Sequence, residues 1–161
     1  MSSEEYMRQA LALARQAADE GEVPVGCVVV NREGRVIGRG RNRRESRKRA
    51  TAHAEVEAIE EACGHVGSWR LEGCSLYVTL EPCPMCAGAI LAARIERLYY
   101  GAKDAVTGSC GSVINLFLEP YGHEPRIYGG ILEEQCGALL TAFFQGLRTG
   151  EKKDDKKQPE R

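Results

Sequence analysis

The sequence predicts an α/β domain of three layers, α/β/α. Three observations carry that reading. Short apolar runs of strand length, such as Cys27-Val28-Val29-Val30 and Ser75-Leu76-Tyr77-Val78-Thr79-Leu80, alternate with stretches whose apolar residues recur at helical spacing. The turn Arg32-Glu33-Gly34 joins the first two runs as a hairpin. A helical pattern separates the last two runs, which makes that pair parallel.

Each element has its own local signal. Ser2 and Glu5 have capping-box spacing, and Met7, Ala10, Leu11, Ala14, Ala17 and Ala18 form the stripe of a helix ending near Gly21. Strands follow at Cys27 to Val30 and Arg35 to Gly40, then a basic loop and a helix from about His53 to Cys63. A loop containing Trp69 leads to the strand Ser75 to Leu80. The next helix carries Ala87, Gly88, Ala89, Ile90, Leu91, Ala92 and Ala93 and has no charge before Arg94. It is apolar nearly all round, so burial is expected, part of it against a second subunit. Arg97 to Gly101 is the fourth strand, followed by a Gly- and Ser-containing loop and a short helix around Val113 to Leu118. Arg126 to Tyr128 is the fifth strand, and Leu132, Cys136, Leu139, Leu140, Phe143 and Leu147 stripe the last helix. Residues 1–149 are expected to form one domain and 150–161 a disordered charged tail, since Glu151 to Arg161 holds no apolar residue.

Composition narrows the class. At 161 residues, with 43% apolar and 28% charged side chains, the chain reads as one globular domain. No apolar run reaches the length of a membrane span, and the N-terminus lacks the apolar core of a signal peptide. Seven cysteines, an odd number, fit reduced thiols better than a disulfide framework, so a cytoplasmic location is expected. Net charge is −1, but seven of the 22 Lys and Arg residues lie between Arg39 and Arg49, against one acid, Glu45. Most charge runs are solvated loops. The position of this one, just before His53, makes Arg43 and Arg44 candidates for nucleic-acid phosphate contacts.

The chemistry is concentrated between His53 and Cys86. His53-Ala54-Glu55 is H-x-E, and Pro82-Cys83-Pro84-Met85-Cys86 is P-C-x-x-C. One imidazole and two thiolates make three ligands for Zn²⁺, and a catalytic zinc keeps its fourth position open for water. Glu55 lies on the apolar stripe of its helix with Ala58, Ile59 and Ala62. Burial raises the pKa of an acid, which suits a group that takes a proton from water and passes it on. His53 and Glu55 are two residues apart, so they can share a site only if the helix begins at about His53. Pro82 and Pro84 suggest that the second half opens a helix too.

Duller readings exist for each part. A lone C-x-x-C could be a redox pair, and a structural zinc could recruit Cys63, His65 or Cys74 as a fourth ligand. The two halves in this order, with a strand leading into the cysteines, match the zinc-deaminase signature. The zinc halves alone admit cytidine, deoxycytidylate or guanine deaminases. Acting on a free base or nucleotide, such as guanine or a cytosine nucleotide, is therefore the alternative reading. A non-catalytic zinc-stabilised RNA-binding module is a further rival, opposed by the acid at Glu55.

The chain resembles the bacterial tRNA-specific adenosine deaminases, the TadA family of the zinc-dependent cytidine deaminase-like superfamily. The likeness runs from Tyr6 to Arg148. Besides the zinc halves it rests on Gly21-Glu22-Val23-Pro24-Val25-Gly26, on the run from Tyr100 to Gly108, and on Gly130-Ile131-Leu132-Glu133-Glu134-Gln135-Cys136. The resemblance implies a cytidine deaminase-like fold with a five-stranded mixed sheet, a homodimer, and one Zn²⁺ per subunit held by His53, Cys83 and Cys86. It implies hydrolytic deamination of the wobble adenosine to inosine in a tRNA anticodon loop, by a zinc-activated water and a Glu55 proton shuttle. Asn42 matches a pocket asparagine that bonds the flipped base. Val23 and Ala54 match pocket-lining positions, and main-chain groups around Ala54 and Pro82 match ones that read the base edge. Asp104, His123, Phe143 and Phe144 match positions that face the anticodon loop, although a helix-stripe aromatic such as Phe143 is more often core. Gln145 departs from the family, which often has a basic residue there; Arg148 is a substitute.

Overall fold

The structure, a computed structural model, describes residues 1–150. Of the tail expected over 150–161, Gly150 ends the last helix and residues 151–161 lie outside the described residues. Five strands form one sheet in the order β2-β1-β3-β4-β5. They are β1 Gly26–Val30, β2 Val36–Arg41, β3 Ser75–Leu80, β4 Arg97–Ala102 and β5 Arg126–Tyr128. β1 runs antiparallel to β2 and β3, whereas β3, β4 and β5 are mutually parallel, so the sheet is mixed as expected. Among the described residues no helix is long and apolar enough to cross a membrane.

The helices divide between the two faces. α1 (Ser3–Asp19) and α5 (Glu133–Gly150) cover one face; α3 (Ala54–Val66) and α4 (Pro84–Ala93) cover the other. Ser2 caps α1, its hydroxyl oxygen accepting from the Glu5 amide at 3.2 Å. β1 is buried along its whole length, because helices cover both of its faces. On the α1 side, Tyr6 meets a cross-strand ladder of Tyr77, Tyr99 and Tyr128, with ring centroids 5.1, 4.4 and 4.8 Å apart in turn.

Close helix–sheet contact fixes the other face. A Cβ at Gly38 would fall 2.1 Å from the Ala58 carbonyl oxygen, and one at Gly40 would fall 2.1 Å from that of Ala54. Two glycines on one side of β2 thus let the backbone of α3 lie directly on the strand. Glu61 of α3 reaches the outer edge of β2, where its carboxylate accepts from the Arg39 amide at 3.0 Å.

Three local expectations change. β2 starts at Val36 rather than Arg35, because Asn31 Oδ1 accepts from the amides of Glu33 and Arg35 at 3.1 and 2.9 Å and holds Arg35 in the turn. The basic segment is not all loop: Arg39 to Arg41 belong to β2, and Arg44–Arg47 forms a short helix, α2. The helix expected from Val113 to Leu118 is a 3-10 turn over Leu116–Leu118. The amides of Val113 and Ile114 both reach the Gly108 carbonyl, at 3.0 and 3.3 Å, and so close a loop instead of a helix.

Gly40→Ala tests the close contact. Overpacking typically costs ~1–3 kcal/mol, and a domain of this size loses ~2–4 °C of melting temperature per kcal/mol. Melting should fall by several degrees in a calorimetric scan; an unchanged Tm would show that α3 does not rest on β2 as described.

Candidate metal centre and base pocket

α3 and α4 both begin at one point. His53 is the residue before α3, with φ −84° and ψ 154°, and Cys83 is the residue before α4, with φ −77° and ψ 173°. Extended backbone at each entry turns the side chain toward the gap between the helices. Pro84 occupies the first turn of α4, where its missing N–H costs nothing. Cys86, three residues beyond Cys83, then faces the same gap. Helix N-termini carry partial positive charge and favour thiolate over thiol.

The donor set fits zinc. His53 Nδ1, Cys83 Sγ and Cys86 Sγ all lie within 4.8 Å of one another, and all three residues are buried. Nδ1 is 3.6 Å from Cys83 Sγ and 3.5 Å from Cys86 Sγ. Tetrahedral zinc with bonds of about 2.0–2.1 Å to nitrogen and about 2.3 Å to sulfur would set that separation at about 3.6 Å. Among the described residues, Cys63, His65 and Cys74 stand outside this set. That removes the four-ligand structural zinc and leaves the three-ligand arrangement of a catalytic one.

Glu55 sits on the first turn of α3 and is fully buried. The helix start at Ala54 brings it to the same end as His53, as the two-residue spacing requires. A second buried acid, Glu81, was not singled out from the sequence. Its carboxylate accepts from the amides of Asp104, Cys110 and Ser112 at 3.0, 2.8 and 3.1 Å, and from the Ser112 hydroxyl. Burial alone would raise the Glu81 carboxyl, yet the Ser112 hydroxyl and these amides hold it below its ordinary value. The Ser109 amide donates to the Pro82 carbonyl at 2.9 Å, so the loop is tied to the zinc segment as well. Cys110, whose amide bonds the Glu81 carboxylate, lies close to the acids. Burial, then the Glu81 and Glu55 carboxylates, push its thiol up to about 12.

Of the residues matched to the base pocket, Ala54 and Pro82 adjoin His53 and Cys83 in the chain, and the amide of Arg43, next to Asn42, donates to the Ala52 carbonyl at 3.0 Å. Val23, Ala54 and Pro82 are buried. Asn42 is 1% exposed; its Nδ2 donates to the Val23 carbonyl at 3.2 Å, and its Oδ1 accepts from the Arg44 amide at 3.2 Å.

A family model for the cytidine and deoxycytidylate deaminase zinc-binding region matches residues 1–102. Over 148 residues the chain is 48% identical to a tRNA-specific adenosine deaminase of Bacillus subtilis (strain 168), covering 91% of each protein. A solved structure from work on A-to-I editing by tRNA:A34 deaminases at the wobble position is 47% identical, with a TM-score of 0.81 over 84% of this chain and 99% of that one. The chain belongs to the zinc-dependent tRNA-specific adenosine deaminases. A solved guanine deaminase from Bacillus subtilis is more distant, at 32% identity and a TM-score of 0.63 over 96% of this chain and 99% of that one.

Arg43 Nε donates to Glu57 at 3.1 Å, and Arg47 lies 3.5 Å from the same carboxylate. Arg41 makes a two-pronged pair with Glu20 at 2.8 and 3.0 Å, whereas Arg44 is 4.0 Å from the exposed Glu45. Much of the basic run is thus matched by local acids, a pairing that its composition could not reveal. Asp104 uses both carboxylate oxygens in its own turn: Oδ1 accepts from the amides of Val106 and Thr107 at 2.9 and 3.2 Å, and Oδ2 from the Thr107 hydroxyl at 2.9 Å. His123 Nε2 lies 2.7 Å from the Ile95 carbonyl and, since a carbonyl only accepts, carries the proton. Phe143 and Phe144 meet edge to face at 5.6 Å, and both are half-buried against the core.

Cys83→Ala should reduce zinc from about one ion per chain to near zero and lower the melting temperature with it, since metal binding and folding are coupled. Metal analysis of the purified variant decides this; full zinc loading would mean that Cys83 is not a ligand.

Proposed function

We propose that this protein hydrolytically deaminates the wobble adenosine of a tRNA anticodon loop to inosine. The observation that carries the reading is the three-ligand set with the fully buried carboxyl of Glu55 at the same helix start. When bound, Zn²⁺ supplies the Lewis acidity that makes water reactive near neutral pH. Glu55 takes the proton released by that water, delivers it toward N1 of the adenine, and carries a second proton to the departing amine. Adenosine and water become inosine and ammonia. Asn42 holds the extruded base by its amide, while Val23, Ala54 and Pro82 wall the pocket and exclude solvent. Bases of an anticodon loop are already unpaired, so extrusion is cheap.

On this reading Arg43 and Arg44 meet phosphate of the RNA, and Asp104, His123 and Phe144 are the proposed RNA-facing positions. Pairing with Glu57 tempers Arg43, so Arg44 is the stronger of the two candidates. The protein acts as a homodimer in the cytoplasm on this reading. Support for the dimer comes from α4, whose Met85, Gly88, Ala89 and Ala92 retain partial or full exposure on an almost wholly apolar helix. The row of arginines favours RNA over a free base, because a small neutral purine needs none of them.

The test is incubation of purified protein with an anticodon stem-loop, free guanine and cytidine, with inosine and ammonia measured. Inosine should form in the stem-loop alone; release of ammonia from guanine instead would overturn the substrate assignment. Glu55→Gln should retain zinc and stem-loop binding but lose at least ~10²–10⁴-fold in turnover, the usual contribution of general acid–base catalysis. Near-normal turnover would remove Glu55 from its role.

A further inference from the structure

Glu22 is 1% exposed and takes no part in the chemistry above. A buried carboxylate is costly unless it is hydrogen-bonded. Its backbone is pinned just past α1, where the Glu22 amide donates to the Ala17 carbonyl at 2.9 Å. Its two oxygens go to two neighbouring amides far along the chain: Oε1 accepts from Glu45 N at 3.1 Å and Oε2 from Ser46 N at 2.7 Å. Those amides belong to the opening turn of α2. The residue before that helix, Arg43, makes no side-chain cap of its own. Glu22 therefore does from a distance what a capping Ser or Asp does locally.

The adjoining residue completes the clamp. The Val23 carbonyl accepts from Asn42 Nδ2 at 3.2 Å, the Val25 carbonyl accepts from the Asn42 amide at 3.0 Å, and Asn42 Oδ1 accepts from the Arg44 amide at 3.2 Å. These contacts admit one orientation of the Asn42 amide. Flipped, it would set NH₂ against the Arg44 N–H and oxygen against the Val23 carbonyl. In the observed orientation one N–H and one lone pair of the side chain stay available.

We infer that Glu22 is a positioning residue: by anchoring the start of α2 it fixes the Arg44 amide, and through it the face that Asn42 presents to the substrate base. The inference rests on the deaminase reading for its consequence in catalysis, though not for the clamp itself. A carboxylate is required because two amides need two acceptors; a glutamine would turn an NH₂ against one of them.

Glu22→Gln should raise KM for the anticodon stem-loop by roughly ten- to a hundred-fold, the scale of losing a hydrogen bond to a charged group. The value of kcat should change by less than about threefold, since zinc and Glu55 are held by α3 and α4, and zinc content should stay full. A double-mutant cycle with Asn42→Ala separates positioning from general damage. If Glu22 acts through Asn42, the two effects on KM are strongly non-additive; additive effects would overturn the inference. Hydrogen exchange on the wild-type zinc protein needs neither a variant nor activity. The amides of Glu45 and Ser46 should be protected far beyond those of an exposed turn, and exchange at open-loop rates would overturn the clamp. Wild-type protein that fails to deaminate the stem-loop while keeping that protection would refute the proposed function and leave the clamp standing.

Discussion

Everything at the functional end depends on two helices starting at the same place. An imidazole from the entry of α3 and two thiols from the entry of α4 come within bonding reach of one ion only if both helix starts are fixed to a fraction of an ångström. That precision comes from the sheet. Gly38 and Gly40 let α3 lie on β2 without side chains between, and the end of β3 feeds α4 through Glu81 and Pro82. The Glu81 amide donates to the Ala102 carbonyl at 2.8 Å, so β3 and β4 stay joined up to the residue before the zinc segment.

Buried acids organise the loops around that centre. Glu81 gathers three amides of the segment after β4, and Glu22 gathers two at the start of α2. In both, each carboxylate oxygen accepts at least one hydrogen bond, and both residues are almost wholly shielded from solvent. Glu57 gathers two arginines instead of amides, half a turn of α3 beyond Glu55. A common device emerges: an acid within or just past the end of a rigid element holds a short segment that has few apolar residues with which to dock by burial. Short loops beside a polar site cannot use the hydrophobic effect without closing the site, so directed hydrogen bonds replace it.

Much of this was legible in the sequence and some could not be. The strands, the start of α3, the Pro-led start of α4 and the three zinc ligands follow from period and spacing, which are local properties of the chain. Glu22 and Glu81 carry a faint signal, each being an acid embedded in an apolar stretch, Glu22 before Val23-Pro24-Val25 and Glu81 after Leu76 to Leu80. What they bind was not readable, because their partners lie 23 to 31 residues away. The same holds for Arg43 and Glu57: a charge run looks free until tertiary approach supplies its counter-charges. The loop from Val113 was misread as helical because its apolar residues have helical spacing, while the Glu81 carboxylate draws the Ser112 backbone elsewhere.

The reach of Glu61 across β2 has a bearing on how copies of this protein can meet. A free outer strand is a template for further strands, and its amides are the points of attachment. Here the outward Arg39 amide is already taken by a side chain of the same molecule. At the opposite margin, β5 offers only three residues. One outward amide of β2 is therefore closed to strand addition and β5 presents a border of only three residues, which limits the open-ended growth that an exposed sheet edge invites.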